Sequence, residues 1–440
     1  MYSKEIDGAL KKIGAEIGDR IKTGEYEGLL MPKIESGDPN ALVIKLDNGY
    51  NIGVKIDTGK KIELVSKGEK IGHKAKGDSG KVSGAISILG CGGTITSRVE
   101  YKTGAVFPEF SPSDLLSSFP ELKEFGDIAG RKLFSLLSED MNSAHWKIIA
   151  HEVEKEIKDG ARGVVLMHGT DTMGYTSAAL SFMLQKLPVP VVLVGAQRSS
   201  DRGSSDNKMN LMCASAAASS EIAEVGLCMH ATMSDDYCYL HRGTRVRKMH
   251  TSRRDAFKSV NASPLAKIDY SSRKVEVLDK NCHKRGASKK VELRADLSDK
   301  VALLFTYPGI KPKLIESYSD YDGLVLATTG LGNAPANPFG DKNAYSIIPA
   351  VKSLVDSGVV VVNSPQTLYG RLDMNIYTAG RMLDEIGVIG NYCDWLPETA
   401  YVKLMWALGQ TKDKKKVKEL MVANIAGEIS ERSLQNDSYE

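Results

Sequence analysis

The sequence predicts an α/β protein: two α/β domains with parallel sheets, preceded by a small N-terminal β-barrel. Three observations carry this. Beyond residue 83, strand-like apolar runs alternate with helix-period segments, the order that builds a parallel sheet with helices on both faces. Residues 20–70 instead hold short β-rich runs around an Asn-Gly turn. Finally, 440 residues, at roughly 150 per domain, exceed what one core can hold and suggest about three domains.

The elements follow in order. Ile6, Leu10, Ile13, Ile17 and Ile21 step by threes and fours, which predicts one amphipathic helix ended by Gly24. Tyr26–Met31, Ala41–Leu46, Tyr50–Ile56 and Lys61–Val65 read as strands, the middle two joined through Asp47-Asn48-Gly49. Lys67–Lys81 is rich in Gly, Lys and Ser and reads as a linker, so residues 1–80 form the first unit. Strands are expected at Ala85–Leu89, Gly163–Met167 and Pro188–Val194, and helices at Ala144–Asp159, Ser177–Lys186 and from Asn207 to Ala223. They make a domain over 81–275. The polar, basic stretch Lys274–Ala295 reads as a connection, placed at 276–297. A second α/β domain, 298–440, begins with Val301–Thr306 and runs through Gly323–Ala327 and Val359–Asn363. Near the end, Lys412–Lys418 reads as a solvated helix face.

Composition narrows the function classes. Lys plus Arg exceed Asp plus Glu by only three, 58 against 55, too balanced for a dedicated nucleic-acid binder. No apolar run approaches the ~18 residues that span a bilayer, so no membrane partner is expected. The start, with Lys4, Glu5 and Asp7, lacks signal-peptide character, and a cytoplasmic location is expected. The six cysteines are scattered without a Cys-x-x-Cys pair and read as free thiols. Cys228, His230, Cys238 and His241 lie close together, but their spacing fits no closed zinc site, and no metal is expected.

In open α/β sheets the reacting groups gather in the loops after strands. The first such loop is Gly90-Cys-Gly-Gly-Thr-Ile95, whose glycines allow a tight turn that aims backbone amides at negative charge. It is neither a P-loop nor a dinucleotide fingerprint. Thr94 there is either a nucleophile or a helix cap. The second is His168-Gly-Thr-Asp-Thr-Met173, where Thr170 and Asp171 face the first loop or cap the following helix. The third strand ends in Val194-Gly-Ala-Gln-Arg198, and Arg247-Lys-Met-His-Thr-Ser252 comes later. A lysine beside a threonine hydroxyl and a carboxylate serves as a base if burial lowers its pKa; alone, Lys248 would be a surface cation.

Together these four loops, with Lys248-x-x-x-Ser-x-x-Asp-x-Phe257 as the last, resemble the bacterial-type L-asparaginase family over roughly residues 83–430. The resemblance implies that Thr94 is the nucleophile and Tyr101 its hydrogen-bonded activator, with Thr170, Asp171 and Lys248 as a second catalytic cluster. It implies that Ser138 and Glu139, in Leu137-Ser-Glu-Asp-Met141, hold the substrate's α-carboxylate and α-amino group. It further implies that Asp171 also grips the amino group and that the Ala196 carbonyl orients the leaving amide. The chemistry implied is hydrolysis of glutamine or asparagine through an acyl-enzyme.

About eighty residues precede the first strand of that body. A helix and small β-barrel joined to an asparaginase-like module resemble the D-subunit family of archaeal glutamyl-tRNA(Gln) amidotransferases. Tyr101-Lys-Thr-Gly-Ala-Val106 and Ser138-Glu-Asp-Met141 agree with this. The resemblance implies a glutaminase that feeds ammonia to a partner, the amidotransferase E-subunit, which holds tRNA(Gln) and carries ATP and Mg. No cofactor is implied on this chain, and a homodimer within the larger complex is. The first eighty residues hold fourteen Lys/Arg against thirteen Asp/Glu, so partner contact suits them better than clamping RNA. The basic stretches Arg242–Arg254 and Lys280–Lys290 are where tRNA could reach this chain. The alternatives are a free asparaginase or glutaminase with an accessory domain, and a non-enzymatic assembly subunit.

Overall fold

The structure is a computed structural model that describes residues 2–31, 38–46, 51–56, 61–68, 82–93, 97–99, 106–108, 119–198, 205–286 and 290–433. Among these residues no helix is long and apolar enough to cross a membrane.

Helix α1 (Lys4–Lys12) starts at Ser3, whose hydroxyl accepts the Ile6 N–H. It is shorter than its apolar stripe suggests. Gly14 and Gly18 take positive φ, +66° and +93°, and the chain turns there. Ile21 therefore lies on a strand, not on the helix. It keeps the stripe's spacing because strand and helix bury their apolar residues in one cluster, with Ile6, Leu10 and Ile21 together.

Five strands follow: β1 (Arg20–Thr23), β2 (Tyr26–Leu30), β3 (Ala41–Lys45), β4 (Asn51–Lys55) and β5 (Ile62–Ser66). The expected barrel is an antiparallel sheet ordered β4-β3-β2-β1-β5 around that same apolar cluster. The turn Asp47–Gly49 and most of the Lys67–Lys81 stretch lie outside the described residues. Lys67 and the Gly68 N–H bind the Asp19 carboxylate at 3.1 and 2.8 Å, fastening the end of the unit to its start.

The main body is an eight-stranded sheet. Its parallel part is built from β6 (Ile86–Gly90), β7 (Ile128–Lys132), β8 (Gly163–Met167), β9 (Val191–Val194) and β10 (Val225–His230). It is extended antiparallel by β11 (Tyr237–Arg242), β12 (Ala266–Asp269) and β13 (Val275–Val277). The order is β13-β12-β11-β10-β9-β8-β6-β7, so the sheet is mixed rather than wholly parallel. β13 falls in the stretch read as a connection; an edge strand with half-exposed residues looks polar in sequence.

Alternate strand residues feed opposite faces. Leu89, Val164, Leu166 and Leu193 pack on α2 (Ser143–Lys158) and α3 (Met173–Met183). Ile86, Ile88, Val165 and Val192 pack on α4 (Asn207–Ala218). A second, three-stranded parallel sheet holds β14 (Val301–Phe305), β15 (Gly323–Thr328) and β16 (Val360–Pro365) in chain order. α8 (Pro397–Gln410) follows α5 (Pro312–Glu316), α6 (Ile348–Asp356) and α7 (Thr378–Glu385), and its Trp406 stacks on Phe182 of α3, centroids 5.9 Å apart. The two α/β units thus share one core. α9 (Lys414–Val422) carries Lys414, Lys415, Lys416 and Lys418 of the 412–418 run, all exposed. All six cysteines are buried and free.

Candidate active site

The site forms where the parallel strands β6, β8 and β9 deliver their loops, with a loop after β7 and a short ribbon after β11 closing round them. Ordinary side chains would keep these loops apart. A Cβ on Gly93 would lie 2.4 Å from the backbone N and Cα of Gly169, and one on Gly195 would lie 2.8 Å from Thr170 Cγ2. Glycine at these positions lets the first and third loops touch the second. Thr94 and Tyr101 lie outside the described residues.

Thr170 is buried, and its Oγ1 accepts a hydrogen bond from Lys248 Nζ at 2.9 Å. The same nitrogen lies 2.9 Å from Asp171 Oδ1. Lys248 closes the ribbon strand Val246–Lys248, which pairs with Phe257–Ser259. Its side chain is only 15% exposed, whereas Asp171 is 66% exposed, so the carboxylate stands at the open side of the cluster. Neither Thr170 nor Asp171 caps α3. Thr172 occupies the cap position without capping through its side chain, and its hydroxyl donates instead to the Ser138 carbonyl at 2.6 Å.

Ser138 is buried against Gly169, where an added Cβ would sit 2.8 Å from its Oγ. Glu139 is exposed, with Oε2 3.4 Å from that hydroxyl. Ser138, Glu139, Thr170, Asp171 and Lys248 are thus brought to one place. Ala196 is buried on the adjoining loop, one residue past Gly195.

Several supports of these residues do not stand out in the sequence. Asp206 accepts the backbone N–H groups of Gln197 and Arg198 at 3.0 and 2.9 Å, and Asn210 Nδ2 donates to the Gly195 carbonyl at 3.0 Å. Asn210 Oδ1 in turn accepts the His230 backbone N–H at 3.1 Å and meets its Nδ1, while His230 Nε2 meets Asp235 at 3.2 Å. This network fixes the loop that carries Ala196. His168, quoted in sequence only as part of a motif, is fully buried; burial pushes its pKa down to about 4. A polar side chain following a strand inside the signature loop is the one sequence cue it gives.

The arginines of 242–254 are committed internally. Arg242 pairs with Glu224 and Asp279, Arg245 with Asp394, Arg247 with Glu398, Arg253 with Asp255 and Arg254 with Asp235. Among the described residues no three or more His, Cys, Asp or Glu side chains are placed to hold a metal ion. A cavity of about 300 Å³, lined by Met141, Trp146, Thr172, Tyr175 and Tyr401 among others, adjoins the cluster. A larger one, about 1090 Å³, opens by Lys186, Glu224 and Arg242, where β10 begins, and none of Ser138, Thr170, Asp171 and Lys248 lines it.

Comparison with known proteins follows this division of the chain. The family described as "Asparaginase, N-terminal" matches residues 85–282, "Glutaminase/Asparaginase C-terminal domain" matches 300–421, and "GatD N-terminal domain" matches 15–65. The glutamyl-tRNA(Gln) amidotransferase D-subunit of Pyrococcus furiosus is 48% identical over 439 residues, covering 97% of each chain. That of Methanothermobacter thermautotrophicus is 47% identical, covering 96% of each. Among solved structures, the thermostable L-asparaginase from Thermococcus kodakarensis superposes with a TM-score of 0.70 at 31% identity, covering 79% of this chain and 99% of its own. L-asparaginase I from Vibrio cholerae gives 0.64 at 30% identity over the same share of this chain. The chain belongs to the D-subunit family of glutamyl-tRNA(Gln) amidotransferases, an asparaginase-like body with an added N-terminal unit.

Proposed function

We propose that this chain is the glutaminase subunit of a tRNA-dependent amidotransferase, releasing ammonia that a partner uses to convert Glu-tRNA(Gln) to Gln-tRNA(Gln). The observation that carries the reading is Lys248 Nζ set 2.9 Å from both Thr170 Oγ1 and Asp171 Oδ1, at the point where the first loop abuts the second. A threonine hydroxyl needs a base within hydrogen-bond reach to act at neutral pH. Lys248 stands at that distance from Thr170; Tyr101 is assigned the same task beside Thr94.

In the reaction, the Thr94 hydroxyl oxygen bonds to the carboxamide carbon of glutamine and its proton passes to the leaving nitrogen. Ammonia departs, leaving an acyl-threonine. Water then adds to the ester, which releases glutamate and restores the hydroxyl. Asp171, Ser138 and Glu139 hold the α-amino and α-carboxylate groups, the Ala196 carbonyl orients the amide, and backbone N–H groups of the first two loops receive the oxyanion. ATP and Mg act on the partner, the E-subunit, not on this chain. The open side of the cluster, marked by exposed Asp171 and Glu139, is where a second copy completes a homodimer within the cytoplasmic complex. tRNA is held by the partner. With the arginines of 242–254 internally paired, the basic stretch Lys280–Lys290 is where this chain reaches it.

The decisive experiment measures ammonia release from glutamine and from asparagine, each with and without the E-subunit and Glu-tRNA. Weak hydrolysis that rises with partner and charged tRNA is expected. Full-rate hydrolysis indifferent to both would instead make the chain a free amidohydrolase. Lys248→Met should lower ammonia release by roughly 10²–10⁴-fold while leaving assembly with the partner intact.

A further inference from the structure

Behind the second loop runs a hydrogen-bonded chain of four groups that the reaction itself does not use. Trp146 Nε1 lies 3.0 Å from Thr176 Oγ1, Thr176 Oγ1 lies 3.0 Å from His168 Nε2, and His168 Nδ1 lies 2.7 Å from the Gly169 carbonyl oxygen. Trp146, Thr176 and His168 are all buried.

Every proton in this chain is fixed by elimination. A carbonyl oxygen only accepts, so Nδ1 carries the hydrogen. The buried ring is neutral above about pH 4, so Nε2 is a bare acceptor and the Thr176 hydroxyl must donate to it. An indole N–H only donates, so it fills the lone pair of Thr176. The chain has one direction, from Trp146 to Gly169.

Its end point matters for catalysis. The peptide bond between Gly169 and Thr170 is trans, so its N–H is antiparallel to its C=O. With the carbonyl drawn inward to His168, the Thr170 N–H is aimed away from the core. No described residue accepts a hydrogen bond from it. We infer that His168 is a positioning residue: through the Gly169 carbonyl it holds the Thr170 amide as a preorganised donor to the oxyanion, with Thr176 and Trp146 fixing its tautomer. The inference rests on the glutaminase reading above for the oxyanion, but not for the hydrogen-bond chain itself.

Two measurements test it on the full chain with its partner subunit. In His168→Asn the amide nitrogen replaces Nδ1 and keeps the bond to Gly169; in His168→Gln the side chain reaches Thr176 and leaves Gly169 unpaired. The Asn variant should keep kcat within about threefold, while the Gln variant loses about 10- to 100-fold in kcat with KM nearly unchanged. Thr176→Val should lower kcat, and Thr176→Ser should restore it. Equal losses in the Asn and Gln variants, or losses that follow thermal stability alone, would overturn the positioning role.

The second measurement is independent of activity. Nitrogen NMR of histidine-labelled protein, with the His168→Asn spectrum subtracted, should show His168 as the neutral Nδ1–H tautomer at pH 7. An Nε2–H tautomer or a charged ring refutes the relay. A wild-type complex that releases no ammonia would instead refute the glutaminase reading, with the tautomer still deciding the relay.

Discussion

Lys248 and His168 show two opposite uses of burial at single residues. Lys248 is mostly covered yet has two polar partners, Thr170 and Asp171, for its Nζ. His168 is covered completely, and its ring stays neutral. His241 behaves likewise: burial, with Lys258 nearby, pushes its pKa down to about 3, and Nδ1 meets Ser259 Oγ at 2.8 Å. Unfolded, both rings titrate near pH 6.5. Below that pH the unfolded chain binds protons that the folded chain refuses, so stability is full above about 6.5 and falls as pH drops toward 4. Each ring contributes a slope of about 1.4 kcal/mol per pH unit in that window. His241→Gln should therefore be less stable than wild type at pH 7 and close the gap by pH 5, as read from urea unfolding midpoints. The meeting of Ser138, Thr170, Asp171 and Lys248 was legible in sequence because their spacing is a signature. The protonation states were not, since they depend on what packs against each ring.

At the scale of elements, the loop after β9 illustrates what a strand–loop–helix pattern conceals. Its backbone is held from below by α4, through Asp206 and Asn210, and by β10, through His230. Asn210→Leu would leave the Gly195 carbonyl, Asp206 and His230 each short of a partner. With ~1–3 kcal/mol for each unsatisfied buried group, a loss of several kcal/mol is expected, together with weaker glutamine binding at the Ala196 loop. Thermal melts and KM measure the two effects. A β-period or helix-period count sees only apolar positions, so it located β8 and α2 but not this polar layer. The same count extended α1 through Ile21, because helix and strand drain into one cluster. It also missed the antiparallel turn of the sheet, since a hairpin between β10 and β11 has no letter pattern as marked as Asn-Gly.

Across the whole molecule, Lys248 is held from both α/β units and from the chain's end. Thr244 and Arg245, in the turn just before the Lys248 ribbon, bond the carbonyls of Ala426 and Gly427 at 2.9 and 2.8 Å, and Thr399 of α8 donates to the Thr244 carbonyl at 2.9 Å. The segment supplying those carbonyls is itself locked by a fully buried ion pair, Lys403 Nζ to Glu428 Oε1 at 2.5 Å. Lys403 also donates to the Met421 carbonyl at 2.7 Å, and Glu428 accepts the Ala426 N–H at 2.6 Å. Burial pushes the lysine's pKa down, and Glu428 opposes that shift. Such a pair adds little over an apolar replacement, but removing one partner strands a buried charge at a cost of about 3–5 kcal/mol. Lys403→Met and Glu428→Gln should each lower the melting temperature, and the double variant should lose less than the sum of the two. Because the freed segment no longer anchors Thr244 and Arg245, both single variants should also lose kcat for ammonia release, although neither residue touches the reacting atoms. Single variants with reduced stability but wild-type kcat would show that the ribbon holds Lys248 without help from the C-terminal segment.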